Sequence, residues 1–251
     1  MLHQIWFDLG KGKRPQIPNG IESMKKYAKE SGMEYKLWSE DEATEIISSM
    51  PERVQDVWKK LPHSINKIDF FRYILMYELG GIYFDVDFNC VKKLNDLLMT
   101  NTVFLCEEWP FSFKNGSLHN GVLICKSIHH YFWSKVIDEV EYRLYKLNTE
   151  DYKDIQKSVF KLTGTAMLRD VACIYLNERN MFNKIVVMPF GVFCPLVHED
   201  GTYLDSYDVK LGKLHTQRWI LPSNKVMTQN VRCFTLGFLG ASVKIWQQKF
   251  H

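Results

Sequence analysis

Asp85 and Asp87 stand two residues apart at the polar end of a short, nearly apolar run, Ile82-Tyr83-Phe84-Asp85-Val86-Asp87-Phe88. Side chains along a strand repeat with period two, so this spacing predicts both carboxylates on one side, within reach of a single cation. Placing like charges together at a buried strand end disfavours their ionisation unless an opposite charge intervenes. Oxygen-only ligands suit a hard divalent ion, Mn2+ or Mg2+, which keeps coordination positions for water and for phosphate oxygens of a substrate. A bare Asp-x-Asp also fits a solvated surface pair, so the neighbouring residues decide its reading. Upstream, Asp69 and Arg72 occupy neighbouring positions on one face of a segment otherwise dominated by large apolar groups. They read either as a structural ion pair or as ligand-binding groups. The cost of charge on an apolar helix leading into the acid pair favours binding, and the planar fork of Arg72 can brace Asp85 or a phosphate oxygen.

The elements that must hold these groups can be read around them. Residues 2–7 alternate loosely as a strand, and a Gly/Lys/Pro-rich loop separates them from an amphipathic helix over about Ile21–Ser31. Tyr35-Lys36-Leu37-Trp38 reads as a second strand, after which Ser39 and Glu42 form a capping box that opens a helix through about Ser49. Pro51 suits the first turn of another helix, and Pro62 separates it from the apolar helix Ile65–Leu79, which Gly80-Gly81 stops. The run 82–88 reads as a central strand buried on both faces. Further strands are expected at Val103–Cys106, Gly121–Cys125 and Lys184–Met188, and helices over Ile128–Leu147 and Thr163–Leu176. Pro189–Leu221 reads as loops with short strands. Strands alternating with helices predict one α/β domain over residues 1–251, with a mostly parallel central sheet flanked by helices. Residues 231–251 are expected to supply a terminal helix. Its aromatic and apolar character, with basic residues near both ends, fits packing on the core or lying on a membrane surface.

Composition narrows the classes. A chain of 251 residues, 46% hydrophobic and 24% charged, can bury a full core. The net charge of +3 is small, and no Lys/Arg block interleaves with aromatics, which excludes nucleic acid as a partner. The opening residues lack the pattern of a signal peptide, and no apolar run approaches the roughly 20 residues of a membrane span. A cytoplasmic location follows as the expectation, with the C-terminal segment the candidate for peripheral membrane contact and core packing its favoured reading. The six cysteines are scattered without CxxC pairs, so they read as reduced core thiols and not as a zinc site.

The run from Ile68-Asp69-Phe70-Phe71-Arg72 through Gly80-Gly81 to Asp85-Val86-Asp87 resembles the Asp-x-x-Arg helix, Gly-Gly and Asp-x-Asp core of glycosyltransferase family 32. That family includes mannan- and capsule-type sugar transferases and resembles the large clostridial glucosylating toxins. The likeness extends in order from His3-Gln4-Ile5-Trp6 through Leu37-Trp38-Ser39, Asn120-Gly121 and Thr163-Gly164 to His215–Trp219. The chain has Thr163-Gly164-Thr165 where the family often shows Thr-Gly-Pro, and it lacks the usual Ser before Trp219. The resemblance implies a GT-A type, Rossmann-like fold that binds the nucleotide near the carboxyl ends of the strands. It points Asp69 and Arg72 at hydroxyls of the donor sugar, Trp6 at the nucleotide base and the Trp219 indole at the leaving diphosphate. Asn120 is a further candidate for the donor sugar, and His215 for the cation shell beside Asp85 and Asp87.

The implied reaction moves a sugar from a UDP- or GDP-sugar to a glycan, lipid or protein acceptor, with retention at the anomeric carbon. Asp87, with Asp85 directly or through water, would hold the cation against the diphosphate. Two other classes compete. A metal-dependent phosphohydrolase also ends a strand on Asp-x-Asp, but there the pair normally lies near the N-terminus with a later paired-acid motif, and no Asp-Asp dipeptide occurs here. A non-catalytic sugar-binding module is the second, against which the intact Asp69, Arg72, Asp85 and Asp87 argue.

Overall fold

The computed structural model describes residues 1–7, 19–90, 94, 101–107, 118–146, 153–177, 184–188, 193 and 232–233. Six strands form one sheet in the order β2-β1-β3-β6-β5-β7. They are β1 (Leu2–Ile5), β2 (Tyr35–Trp38), β3 (Gly81–Phe84), β5 (Val103–Glu107), β6 (Leu118–Cys125) and β7 (Ile185–Met188). The pairs β1–β2, β1–β3 and β5–β7 are parallel, while β6 runs antiparallel to both β3 and β5. The sheet is therefore mostly parallel but mixed, with its reversed strand beside β3.

Period-two alternation feeds two cores. In β3, Ile82 and Phe84 face the core shared with Met24, Tyr27 and Ala28 of α1 (Asn19–Glu30). Tyr83 between them faces the other core. That second core contains α2 (Glu40–Ser48), α3 (Glu52–Lys60), α4 (Ser64–Glu78), α5 (Tyr131–Lys146) and α7 (Thr165–Asn177). No helix among the described residues is long and apolar enough to cross a membrane.

Local signals set most boundaries. Ser39 and Glu42 form the expected capping box, with Glu42 N–H donating to Ser39 Oγ at 3.3 Å and Ser39 N–H to Glu42 Oε2 at 2.9 Å. Pro51 sits at the N-cap of α3. Gly80 and Gly81 adopt φ of 60° and 94°, left-handed values that end α4 and that a side chain would resist.

Several expectations are corrected. The strand expected over 82–88 ends at Phe84, and Asp85–Asp87 form a turn closed by Phe88 N–H donating to the Asp85 carbonyl at 3.1 Å. A short β4 (Phe88–Asn89) follows and pairs with β8 (Arg232–Cys233). The helix expected from Ile128 begins at Tyr131, because His129 has a φ of 51° and the His130 carbonyl accepts from Trp133 N–H. Helix α7 begins at Thr165, preceded by α6 (Ile155–Ser158) and a π-helical turn, Val159–Thr163. Cys106 and Cys125 are buried thiols, but Cys173 lies exposed on α7 and Cys90 is half-buried. Apart from Arg232–Cys233, the segment expected as a terminal helix lies outside the described residues, as does most of the stretch 189–221.

Candidate active site

Helix α4 carries Asp69 and Arg72 into the sheet edge where β3 ends. Their side chains are 3% and 4% exposed, and Arg72 Nη2 lies 2.8 Å from Asp69 Oδ1. Arg72 Nη1 donates to the Asn120 carbonyl at 2.9 Å and lies 3.1 Å from Asp85 Oδ1. The guanidinium stacks over the Tyr83 ring at 4.9 Å, and the Tyr83 hydroxyl donates to Asp85 Oδ1 at 2.7 Å. One buried cation thus joins two carboxylates across 16 residues of sequence through three kinds of contact. Burial opposes its charge, but Asp85, Tyr83 and Asp69 together hold the Arg72 pKa above its ordinary value.

Asp69 accepts from three sources. Besides Arg72, Asn120 Nδ2 donates to Oδ1 at 3.1 Å and Thr163 Oγ1 to Oδ2 at 2.9 Å. Burial nevertheless pushes its carboxyl up to about 6, against the pull of Arg72 and the Thr163 hydrogen bond. Thr163 is itself fixed, receiving Asn66 Nδ2 at 2.9 Å on its hydroxyl and the Tyr73 hydroxyl at 2.7 Å on its carbonyl.

The acid turn is braced from three sides. Gln4, fully buried in β1, donates through Nε2 to the Asp85 carbonyl at 3.2 Å and accepts from the Tyr35 hydroxyl at 3.0 Å. Asp85 N–H donates to the Gly121 carbonyl at 2.9 Å, and Gly121 leaves room for the acid, since a Cβ there would collide with the Asp85 carboxylate and the His119 ring. On the far side, a Cβ on Gly20 of α1 would strike the Val86 and Phe88 carbonyls, so only glycine lets that helix approach the turn.

A cleft of about 910 Å³ opens on this cluster. Asp69, Arg72, Asp85 and Asn120 line one part of it, and residues from 62–65 and 155–165 line the rest, including the exposed Ile155 and Phe160. Asp87 is exposed in the turn and, like Trp6, is not among the lining residues. Trp6 is half-buried beyond β1, where its backbone N–H donates to the Trp38 carbonyl at 2.9 Å. The structure thus brings Asp69, Arg72, Asp85 and Asn120 together and sets Trp6 apart. His215 and Trp219 lie outside the described residues.

Sequence reasoning gave no chemical role to Gln4, Asn66, Tyr83, Gly121 or Thr163. For Asn66 a signal existed: it precedes Asp69 by three residues, so the two share a helical face of an apolar segment. Gly121 was legible only as half of an Asn-Gly pair, and its steric role needs the fold.

Residues 16–104 match the profile of the family described as "Glycosyltransferase sugar-binding region containing DXD motif". The match spans Asp69, Arg72, Asp85 and Asp87. The chain is 28% identical over 116 residues to an inositol phosphoceramide mannosyltransferase of Schizosaccharomyces pombe, covering 46% of this chain and 36% of that protein. It is 27% identical over 192 residues to an uncharacterized glycosyltransferase of Acanthamoeba polyphaga mimivirus, covering 74% of this chain and 68% of that one. Among solved structures, PaToxG glycosyltransferase superposes with a TM-score of 0.48 and 15% identity, over 70% of this chain and 69% of that one. The alignment with the Schizosaccharomyces pombe enzyme spans about a third of that protein's length.

Proposed function

We propose that this chain, which carries the DXD-containing sugar-binding region of glycosyltransferases over residues 16–104, moves a sugar from a nucleotide-sugar donor to a glycan, lipid or protein acceptor. The observation that carries the reading is Arg72, a buried cation held between Asp69 and Asp85 at the wall of an open cleft. A purely structural ion pair gains little net stability when buried, whereas groups fixed for a ligand justify the desolvation.

In this reading Asp69 presents its remaining acceptor position to a donor-sugar hydroxyl. A carboxylate offers about four lone-pair sites, and Arg72, Asn120 and Thr163 occupy three. Arg72 orients Asp69 and Asp85 and adds positive charge beside the departing diphosphate. Asn120, anchored by its amide to Asp69, forms the adjoining wall for the sugar.

The residues present fit a divalent cation. Asp85 and Asp87 offer only carboxylate oxygens, the chemistry of Mg2+ or Mn2+ sites. Further ligands come from water and substrate phosphate, and His215, expected to complete the cation's shell, lies outside the described residues. Such an ion, when bound, neutralises the charge that develops on the leaving diphosphate. Tyr83 and Arg72 hold Asp85 Oδ1, so the carboxylate is oriented before substrate arrives. Retention of anomeric configuration is the outcome the resemblance implies.

The test is Mn2+-dependent release of nucleotide from a panel of UDP- and GDP-sugars, by the wild type and by a folded Asp87→Asn variant. Selective release that falls by orders of magnitude in the variant is expected. Absence of both release and donor binding across the panel would overturn the proposal. Binding without release would instead favour a sugar-binding module.

A further inference from the structure

Three polar side chains with no exposed surface, Asn66, Ser158 and Thr163, form a chain of hydrogen bonds that ends on Asp69. Ser158 Oγ donates to Asn66 Oδ1 at 2.9 Å, Asn66 Nδ2 donates to Thr163 Oγ1 at 2.9 Å, and Thr163 Oγ1 donates to Asp69 Oδ2 at 2.9 Å. The direction is forced. An ionised carboxylate can only accept, so the single hydroxyl proton of Thr163 is committed to Asp69, and its oxygen must then receive from Asn66. Asn66 can point its amide nitrogen at Thr163 because Ser158 supplies a proton to its carbonyl oxygen.

The backbone is arranged to deliver this hydroxyl. Thr163 is the last residue of the π-helical turn, a geometry that is rare and often found at functional sites. Gly164 follows it, and a Cβ there would collide with the Val159 carbonyl across the turn. Tyr73, stacked on Trp133 with centroids 6.1 Å apart, clamps the Thr163 carbonyl with its hydroxyl at 2.7 Å. A core built for stability alone would fill this space with apolar groups at lower desolvation cost.

We propose that Thr163, backed by Asn66 and Ser158, is a positioning residue that fixes the ionised Asp69 carboxylate toward the donor sugar. This rests on the proposed role of Asp69. The relay also connects the π-helical turn that supplies the cleft wall at Val159 and Phe160 to the carboxylate.

The experiment compares full-length wild type, Thr163→Val, Thr163→Ser and Ser158→Ala. Valine keeps the volume and removes the hydroxyl, and serine restores the hydroxyl at smaller volume. Two readouts are taken: kcat and KM for the donor against pH, and the 13C shift of the Asp69 carboxyl against pH. Loss of one hydrogen bond to a charged group predicts about a tenfold fall in kcat/KM for Thr163→Val. The Asp69 titration midpoint should rise by about one pH unit in the same variant. Thr163→Ser should recover most of both, and Ser158→Ala should move the midpoint in the same direction by less. A folded Thr163→Val chain with wild-type midpoint and kcat/KM overturns the proposal, and so does a Thr163→Ser chain as impaired as the valine variant. If Thr163→Val does not fold, an unmoved midpoint in Ser158→Ala overturns it. The carboxyl titration requires no turnover, so it decides this point even if the wild type releases no nucleotide and the glycosyltransferase reading falls.

Discussion

Replacing Arg72 by methionine isolates the electrostatic work done at the centre of the cluster. Methionine keeps an unbranched apolar stem of similar reach, so packing is largely preserved while the charge and its donors are lost. Arg72 and Asp69 have side chains 4% and 3% exposed, so the change leaves a buried carboxylate without its counter-ion. Breaking a buried pair in this way costs about 3–5 kcal/mol, and the lower end applies because Thr163 and Asn120 still donate to Asp69. The penalty must also depend on pH. In the wild type the Asp69 carboxyl is pushed up to about 6 by burial, so it binds a proton more tightly folded than unfolded, and this raises stability only as pH falls from about 6 toward its ordinary 3.8. Without Arg72 that midpoint climbs past neutrality, so the variant gains stability already between pH 7 and pH 6, where the wild type gains little from this group. The difference between the two chains should therefore shrink by about 1 kcal/mol across that one pH unit, the linkage slope for one proton less what the wild type, half-protonated at pH 6, gains itself. Urea titrations followed by circular dichroism at pH 7 and pH 6 measure both quantities, and contributions from groups common to the two chains cancel. Adding Asp69→Asn to Arg72→Met should recover at least half of the loss at pH 7. A penalty under about 1 kcal/mol, or one equal at both pH values, would refute the account of Arg72 as the counter-charge of a buried acid.

Gly121→Ala should fold and still lose activity, because its Cβ displaces the Asp85 carboxylate without removing it; nucleotide release reduced at least tenfold, with urea midpoints close to wild type, is the expected pattern. Buried His3 has its pKa lowered to about 4 by burial, against the pull of the Gly80 carbonyl. A His depressed in the folded state loses stability as pH falls from 6.5 to about 4, in total about 3 kcal/mol at 1.36 kcal/mol per pH unit. His3→Gln should therefore gain about 3 kcal/mol relative to the wild type over that range, a difference in which groups common to both chains, Asp69 among them, cancel. Ser39→Ala removes the N-cap of α2 and should lower stability by about 1 kcal/mol in the same urea assay.

Features governed by neighbouring residues were readable from the chain. The capping box at Ser39, the proline at the start of α3 and the glycines ending α4 act over one turn, so the sequence contains their cause. The acid turn was misread because Val86 and Phe88 have strand-forming side chains, while the bond that ends the strand runs from Phe88 N–H to the Asp85 carbonyl. Asp69 and Arg72 stood out as charges on an apolar helix. Thr163 did not, because its hydroxyl meets Asp69 across 94 residues, and no local pattern records a partner so distant. The reversed direction of β6 escaped for the same reason, being set by pairing with β3 and β5 and not by its own composition.

The adjacent residues His3 and Gln4 show how a site can be positioned from one strand. His3 Nε2 donates to the Gly80 carbonyl at 2.9 Å, and its Nδ1 accepts from the Trp38 indole at 3.2 Å, which fixes a neutral ring. Gln4 holds the Asp85 carbonyl. These two carbonyls flank β3 on either side, so β1 grips the strand that carries the acid turn at both of its ends. Backbone pairing between β1 and β3 runs only from Leu2–Ile82 to His3–Tyr83, too short a ladder to fix where the turn begins. These side chains reinforce, from the β1 side, the register that β3 takes from its four-pair ladder with β6. A slip of one residue would send Tyr83 into the α1 core and carry Asp85 away from Arg72, and it would take from His3 and Gln4 the carbonyls to which they donate. The penalty for each orphaned polar group, about 1–3 kcal/mol, makes that slip unfavourable even though the apolar residues of β3 would tolerate either face.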